Sequence, residues 1–271
     1  MTTAQLQQGE TLTSARRAMS KVPEVTAYFW VTKVLTTGMG ETTSDYFAKL
    51  IDPKIAVSVA GLVLAGTLAL QFSVRRYVTW IYWASVVMVS VFGTMAADAL
   101  HVVLGVPYVV STAFFTVALG AVLLAWYVSE KTLSIHSIHT RRREAFYWTT
   151  VMTTFALGTA AGDMTANTMQ LGYFSSGLLF AALIAVPALG AWWFRLNAIF
   201  AFWFAYIVTR PLGASFADWI GVPHSRRGLG LGTGPVSLVL AVLIIGFVAF
   251  LTVTRKDVAS GTAGGRHASQ A

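Results

Sequence analysis

The chain has no cysteine in its 271 residues. That excludes disulfides, thiol nucleophiles, thiolate metal sites and Cys-ligated iron–sulfur clusters. Charge is nearly as scarce. Asp, Glu, Lys and Arg make up 11% of the residues, against roughly 25% in ordinary soluble chains. So few charges cannot coat a water-facing surface of this size. No nucleophile–base arrangement, metalloprotease motif or dinucleotide fingerprint appears. Nothing therefore points to an enzyme, and nothing calls for a cofactor. Apolar residues are abundant instead, at 56%, and the mean hydropathy is +0.66.

The apolar residues gather into runs at about 23–48, 55–74, 77–101, 107–128, 144–166, 173–194, 196–219 and 236–254. Each is long enough to cross a ~30 Å hydrocarbon core as a helix. None alternates apolar and polar residues as a barrel strand would. The pattern predicts an all-α polytopic membrane protein with eight transmembrane helices and the lipid bilayer as its partner. Residues 1–20 form a polar tail, 21–254 one integral membrane domain, and 255–271 a disordered Gly- and Ser-rich tail. The first 20 residues lack the apolar core of a signal peptide, so no cleavage is expected.

The formal charge of +8 is explained by position. Thirteen of the nineteen Lys and Arg residues fall on one side, in both tails and the second, fourth and sixth connections. The other side holds Lys49, Lys54, Arg226 and Arg227, and Lys33 and Arg210 lie inside spans. Cytoplasmic loops are the basic ones, which puts both termini in the cytoplasm. Charge that serves topology leaves no case for nucleic acid as a partner.

An internal repeat runs through the odd-numbered spans. Trp30, Trp83, Trp148 and Trp203 are each followed after ten residues by a glycine (Gly40, Gly93, Gly158, Gly213). Fifteen residues after each tryptophan stands an aspartate: Asp45, Asp98, Asp163 and Asp218. The residue before each aspartate is small, giving Gly-x-x-x-small, the pattern by which membrane helices approach closely. The repeats span about 21–74, 75–130, 141–194 and 195–254. Two spans per repeat make successive repeats run in the same direction, as parallel repeats. The simplest packing is a ring of odd helices inside a shell of even ones, which carry no charge; a two-plus-two arrangement stays open.

The segments KVPEVTAYFWVTKVLTTGMGETTSDYF, VFGTMAADAL, SIHTRRREAFYW with FALGTAAGD, and FWFAYIVTRPLGASFADW resemble the bacterial membrane-anchored proteins built from the repeat called domain of unknown function 347. The first repeat is complete, with its Gly40, Glu41, Thr42 and Asp45 core. The resemblance implies a polytopic inner-membrane protein and no particular substrate.

Three functions fit the residues. The first is a small transporter or channel for an inorganic cation, a divalent metal or a proton. Its site would be Glu41 with Asp45, Asp98, Asp163 and Asp218, beside the hydroxyls of Thr42, Thr94 and Thr159, because hard cations take oxygen ligands. Arg210 and Lys33 would tune that site. Glu41 and Arg210 differ by four positions in repeat register, and the two should meet across the seam between repeats one and four; Lys33 needs another partner. The second is a structural or sensory module whose aspartates only join or cap repeats. The third is anion passage, which requires Lys33 and Arg210 to face water. Pro211 should break the seventh span, and His136 and His139 should lie in a solvated connection.

Overall fold

Eight long helices make up most of the computed structural model, which describes residues 20–102, 104–194 and 197–258. They are α1 (Ala27–Leu50), α2 (Pro53–Ser73), α3 (Thr79–Val102), α4 (Tyr108–Glu130), α5 (Arg141–Asp163), α6 (Gly172–Phe194), α7 (Ala198–Gly221) and α8 (Thr233–Thr254). No strand occurs among the described residues. Local sequence sets several ends. Thr26, Asp52, Thr140 and Asn197 accept backbone N–H groups at the starts of α1, α2, α5 and α7, the usual role of such side chains. Pro53 opens α2, where its missing N–H is harmless. Lys131 and Arg255 close α4 and α8 in the left-handed region, each putting a cation beside the negative end of a helix.

The odd helices form a closed ring: α1 packs on α3, α3 on α5, α5 on α7 and α7 on α1. Each even helix packs mainly on the odd helix that follows it: α2 on α3, α4 on α5, α6 on α7, and α8 back on α1. The repeats are therefore interlocked, with every hairpin lending its second arm to the next.

Two register rules recur around the ring. The residue before each repeat tryptophan touches the tryptophan of the next repeat. Phe29 meets Trp83 at 5.7 Å, Tyr82 meets Trp148 at 5.6 Å, Tyr147 meets Trp203 at 6.3 Å and Phe202 meets Trp30 at 5.8 Å between centroids. A layer of aromatic rings thus links the four odd helices toward the end of the bundle that carries Arg141, Arg142 and Arg143. The second rule concerns the glycines. Each receives the residue seven positions after the next tryptophan: Gly40 receives Ser90, Gly93 Phe155, Gly158 Arg210 and Gly213 Thr37.

Five helices (α2, α3, α4, α7 and α8) are long and apolar enough to cross a membrane. The described apolar part of α6 is shorter, Gly172–Val186. Helices α1 and α5, also expected to cross, do not reach that apolarity, for a local reason. The Thr32, Lys33, Thr36, Thr37, Glu41 and Thr42 side chains of α1 are all buried, as are Glu144, Thr150, Thr154 and Thr159 of α5. Their polarity faces protein.

Three expectations are corrected. Pro211 does not break its helix: α7 runs through it, and the ring seats against α5, where Gly158 and Gly162 leave room. The connection holding His136 and His139 is only partly solvated: Ile135 and Ile138, each just before a histidine, are buried in the core, and both histidines are half-buried. Trp203 Nε1 also donates to Leu133 O there at 2.9 Å. The tail expected from 255 starts packed, with Asp257 buried and accepting from Tyr77 Oη at 2.5 Å and Thr79 Oγ1 at 3.2 Å. Its remainder, like residues 1–19, lies outside the described residues.

The glycine junctions give a graded test. A Cβ at Gly213 would sit 2.9 Å from Val34 O, and one at Gly40 2.8 Å from the Ser90 carbonyl carbon. At Gly93 the nearest atom is Phe155 Cβ at 3.0 Å, and at Gly66 and Gly120 the space is open. Gly213→Ala and Gly40→Ala should therefore destabilise the detergent-solubilised protein by about 1–3 kcal/mol through overpacking. Gly93→Ala should cost less. Gly66→Ala and Gly120→Ala should gain up to about 1 kcal/mol in helix propensity. Thermal unfolding of the five variants checks the order.

Candidate functional site

The ring has a charged centre. Arg210 leaves α7 at the level where it enters Gly158, and its guanidinium lies among the other three ring helices. Its Nη2 is 2.7 Å from Glu41 Oε2 of α1 and 2.8 Å from Thr159 Oγ1 of α5, and it also contacts Thr94 Oγ1 of α3. Nη1 reaches Thr37 O at 3.4 Å. Glu41, Thr94 and Thr159 occupy the same repeat position, eleven residues after Trp30, Trp83 and Trp148. In repeat four that position is Ala214, which leaves space for the arginine arriving from one turn below. The guanidinium is 0% and Glu41 5% exposed. The seam between repeats one and four is thus pinned by the ion pair that the register predicts.

Burial makes this pair consequential. A charge taken out of water is costly, and only good geometry with further hydrogen bonds offsets the cost. Arg210 has those bonds to three helices. Its Nε lacks a hydrogen bond among the described residues, and the Phe155 ring lies 5.5 Å away.

Lys33, two turns nearer the basic end, is 1% exposed. Its Nζ has no hydrogen-bond partner among the described residues. It sits over the faces of Tyr206 at 3.8 Å and Phe155 at 4.9 Å. Aromatic faces attract a cation electrostatically, so two rings supply the other partner that Lys33 needs. Next toward that end, Tyr82 and Tyr147 share a hydroxyl–hydroxyl bond of 2.5 Å.

One turn beyond Glu41 the four aspartates come into electrostatic range of Glu41 and of one another. Their partners differ. Asp98 accepts from Ser44 of the preceding repeat at 3.2 Å. The matching residues Ala97, Gly162 and Ala217 have no side-chain donor, so this joint forms at one seam. Asp45 pairs with Lys49 at 3.8 Å. Asp163 accepts from Asn167 at 3.3 Å, within a π-helical turn that extends α5. Asp218, 7% exposed, has no hydrogen bond or ion pair among the described residues. Above this layer Arg226 binds the Tyr173 hydroxyl and lies in range of Asp45 and Asp218. No three His, Asp or Glu side chains are grouped to hold a metal ion among the described residues.

Other residues fall elsewhere. Thr42 faces α8, accepting from Ser237 at 2.8 Å, and is not part of the central cluster. His101 uses both ring nitrogens locally, on Val106 O at 2.8 Å and Ser111 Oγ at 3.3 Å. The anion reading needs Lys33 and Arg210 in water, and both are enclosed. A second buried ion pair was missed: Lys21 with Glu144, which also accepts from Gln71 at 3.0 Å. The signal available was Glu144 itself, an acid four residues before Trp148 in a run of arginines.

A family model described as Repeat of Unknown Function (DUF347) matches the chain four times, over residues 28–77, 81–132, 146–197 and 201–257. The chain belongs to that family. No curated protein and no solved structure matches it.

The central pair predicts a non-additive cycle. Glu41→Gln leaves Arg210 buried without a counter-charge and should cost about 3–5 kcal/mol. Adding Arg210→Met removes the stranded charge, so the double variant should be more stable than Glu41→Gln alone. Denaturation in detergent, followed by tryptophan fluorescence, measures the coupling. Additive losses would mean that the two side chains act independently.

Proposed function

We propose that this member of the family is an inner-membrane protein of eight spans, arranged as four parallel two-helix repeats, that passes protons along the axis of its inner ring. The eight-span reading is supported by the inward-facing polarity of α1 and α5. The parallel arrangement is supported by the two register rules, which pair equivalent levels at all four seams. Cytoplasmic termini rest on the excess of Lys and Arg on that side.

The observation that carries the function is Glu41: one carboxylate buried on the axis, with four more a turn outward. Ionisable groups inside spans are expensive and mark ion or proton routes. A proton needs one carboxylate at a time, which suits acids of which no three are grouped among the described residues. The arrangement also supplies a gate. The charge on Glu41 holds Arg210 across the axis. A proton arriving on Glu41 removes that charge and with it the ion-pair partner of Arg210. Asp163 already lies in electrostatic range of the guanidinium and offers it a new counter-charge one turn outward. Once the arginine moves, the way opens toward Lys33 and the Tyr82–Tyr147 pair, the next proton-exchanging groups on the path. In the conformation described here Arg210 and the aromatic layer close the axis.

A second reading draws on the same contacts. A guanidinium bonded to all three neighbouring helices is also a structural staple, and a module without transport would use it so. Vesicle flux separates the two. Wild-type protein in liposomes should dissipate an imposed proton gradient faster than protein-free vesicles, as read by an entrapped pH dye. Glu41→Gln should fall to the protein-free rate and Asp218→Asn should lie between. If wild type is no faster than empty vesicles, or Glu41→Gln matches wild type, the structural reading stands.

A further inference from the structure

A long groove lies on the outside of the bundle between α3 and α8. Its volume of about 690 Å³ is within the ~300–1,000 Å³ of ligand pockets. Met39, Trp80, Val87, Ala241, Ile245 and Ala249 are among its walls, and its lining is almost wholly apolar. The groove exists because α8 packs mainly on α1 and only lightly on α3. Along α8 it extends from Ala241 to Val253, which is about 18 Å of helix. Half of a ~30 Å hydrocarbon core is about 15 Å. The groove is thus about one leaflet deep. A helix from a second copy of the chain would need about twice that length.

Its shallow end is different. Thr252 there also lines a second cavity of about 300 Å³ whose walls include Arg76, Tyr77, Thr79, Arg255 and Asp257. Arg76 and Arg255 are exposed, and neither has an ion pair among the described residues. The acids nearby are occupied. Asp257 accepts from Tyr77 and Thr79, and Glu24 pairs with His136 at 3.3 Å. Trp80, 52% exposed, lines the groove next in sequence to Thr79 of the second cavity, and an indole suits the boundary between hydrocarbon and headgroups.

An occupant must be apolar for one leaflet and anionic at its end. We infer that the α3–α8 groove and the Arg76–Arg255 cavity form one binding site for an anionic glycerophospholipid, its acyl chain along α8 and its phosphate on the two arginines. The inference rests on the membrane reading and is independent of proton passage. Occupancy would brace α8 against α3, on which it packs only lightly by itself.

Native mass spectrometry of the full chain in detergent tests it, with phosphatidylglycerol and phosphatidylcholine as probes. Wild type should retain phosphatidylglycerol in preference to phosphatidylcholine. Arg76→Gln and Arg255→Gln lie on exposed side chains and should each weaken the preference by about fivefold, the worth of one cation at an anionic surface. Ala249→Trp, which fills the groove, should lower retention of both lipids. Equal retention of the two lipids by wild type would overturn the inference, as would Gln variants that keep the full preference. A lipid-free dimer lost in Ala249→Trp would overturn it too, by assigning the groove to a second copy.

Discussion

A positive charge in the middle of a hydrophobic bundle has to be answered, and the answer organises this molecule. Arg210 is answered by a carboxylate from α1 and hydroxyls from α3 and α5. Those three groups come from one repeat position. Four copies of a hairpin place four equivalent residues around an axis, and three of them converge on a cation supplied by the fourth copy from one turn away. Symmetry builds the chamber, and a local departure from symmetry fills it. Alanine at the fourth position is as necessary as the polar groups at the other three, because any larger side chain there would compete with the guanidinium for space.

The same logic runs along the axis. Each level is a ring of four equivalent positions, but the residues are seldom alike. Aspartate is kept in all four repeats at the outer level. The central level mixes glutamate, two threonines and alanine. The level of Lys33 offers Val86, Val151 and Tyr206, and only the tyrosine shows a cation an aromatic face. The lowest level is two tyrosines and two phenylalanines. Buried polar groups need partners, and Arg210 finds its own in the three other repeats.

Much of this was legible in the residues. The Trp, Gly and Asp spacing disclosed the repeats, and parity of spans suggested a ring while leaving a two-plus-two packing open. Glu41 and Arg210 could be matched across the seam because their offset of four is one helical turn. Lys33 was harder. Its partners, Tyr206 and Phe155, belong to two other repeats and meet it only once the rotation of each helix is known. Hydropathy hid the roles of Gln71 and Glu144, since a single polar residue in an apolar run is read as noise until its partner is seen. Pro211 misled for a physical reason: proline breaks a helix when its ring has nowhere to go, and the facing glycines give it somewhere.

The interlocking of the hairpins has a consequence for synthesis. A single hairpin has its second arm turned away from its first, so it cannot complete its own packing. α2 must wait for α3 to leave the ribosome, and α1 must wait for α8, the last of the eight. Contacts between the two ends of a chain are the slowest kind to form. Until α8 is in place, α1 therefore presents Thr42, which accepts from Ser237 of α8, on an unsealed flank, and a chain truncated before α8 would stay in that unfinished state.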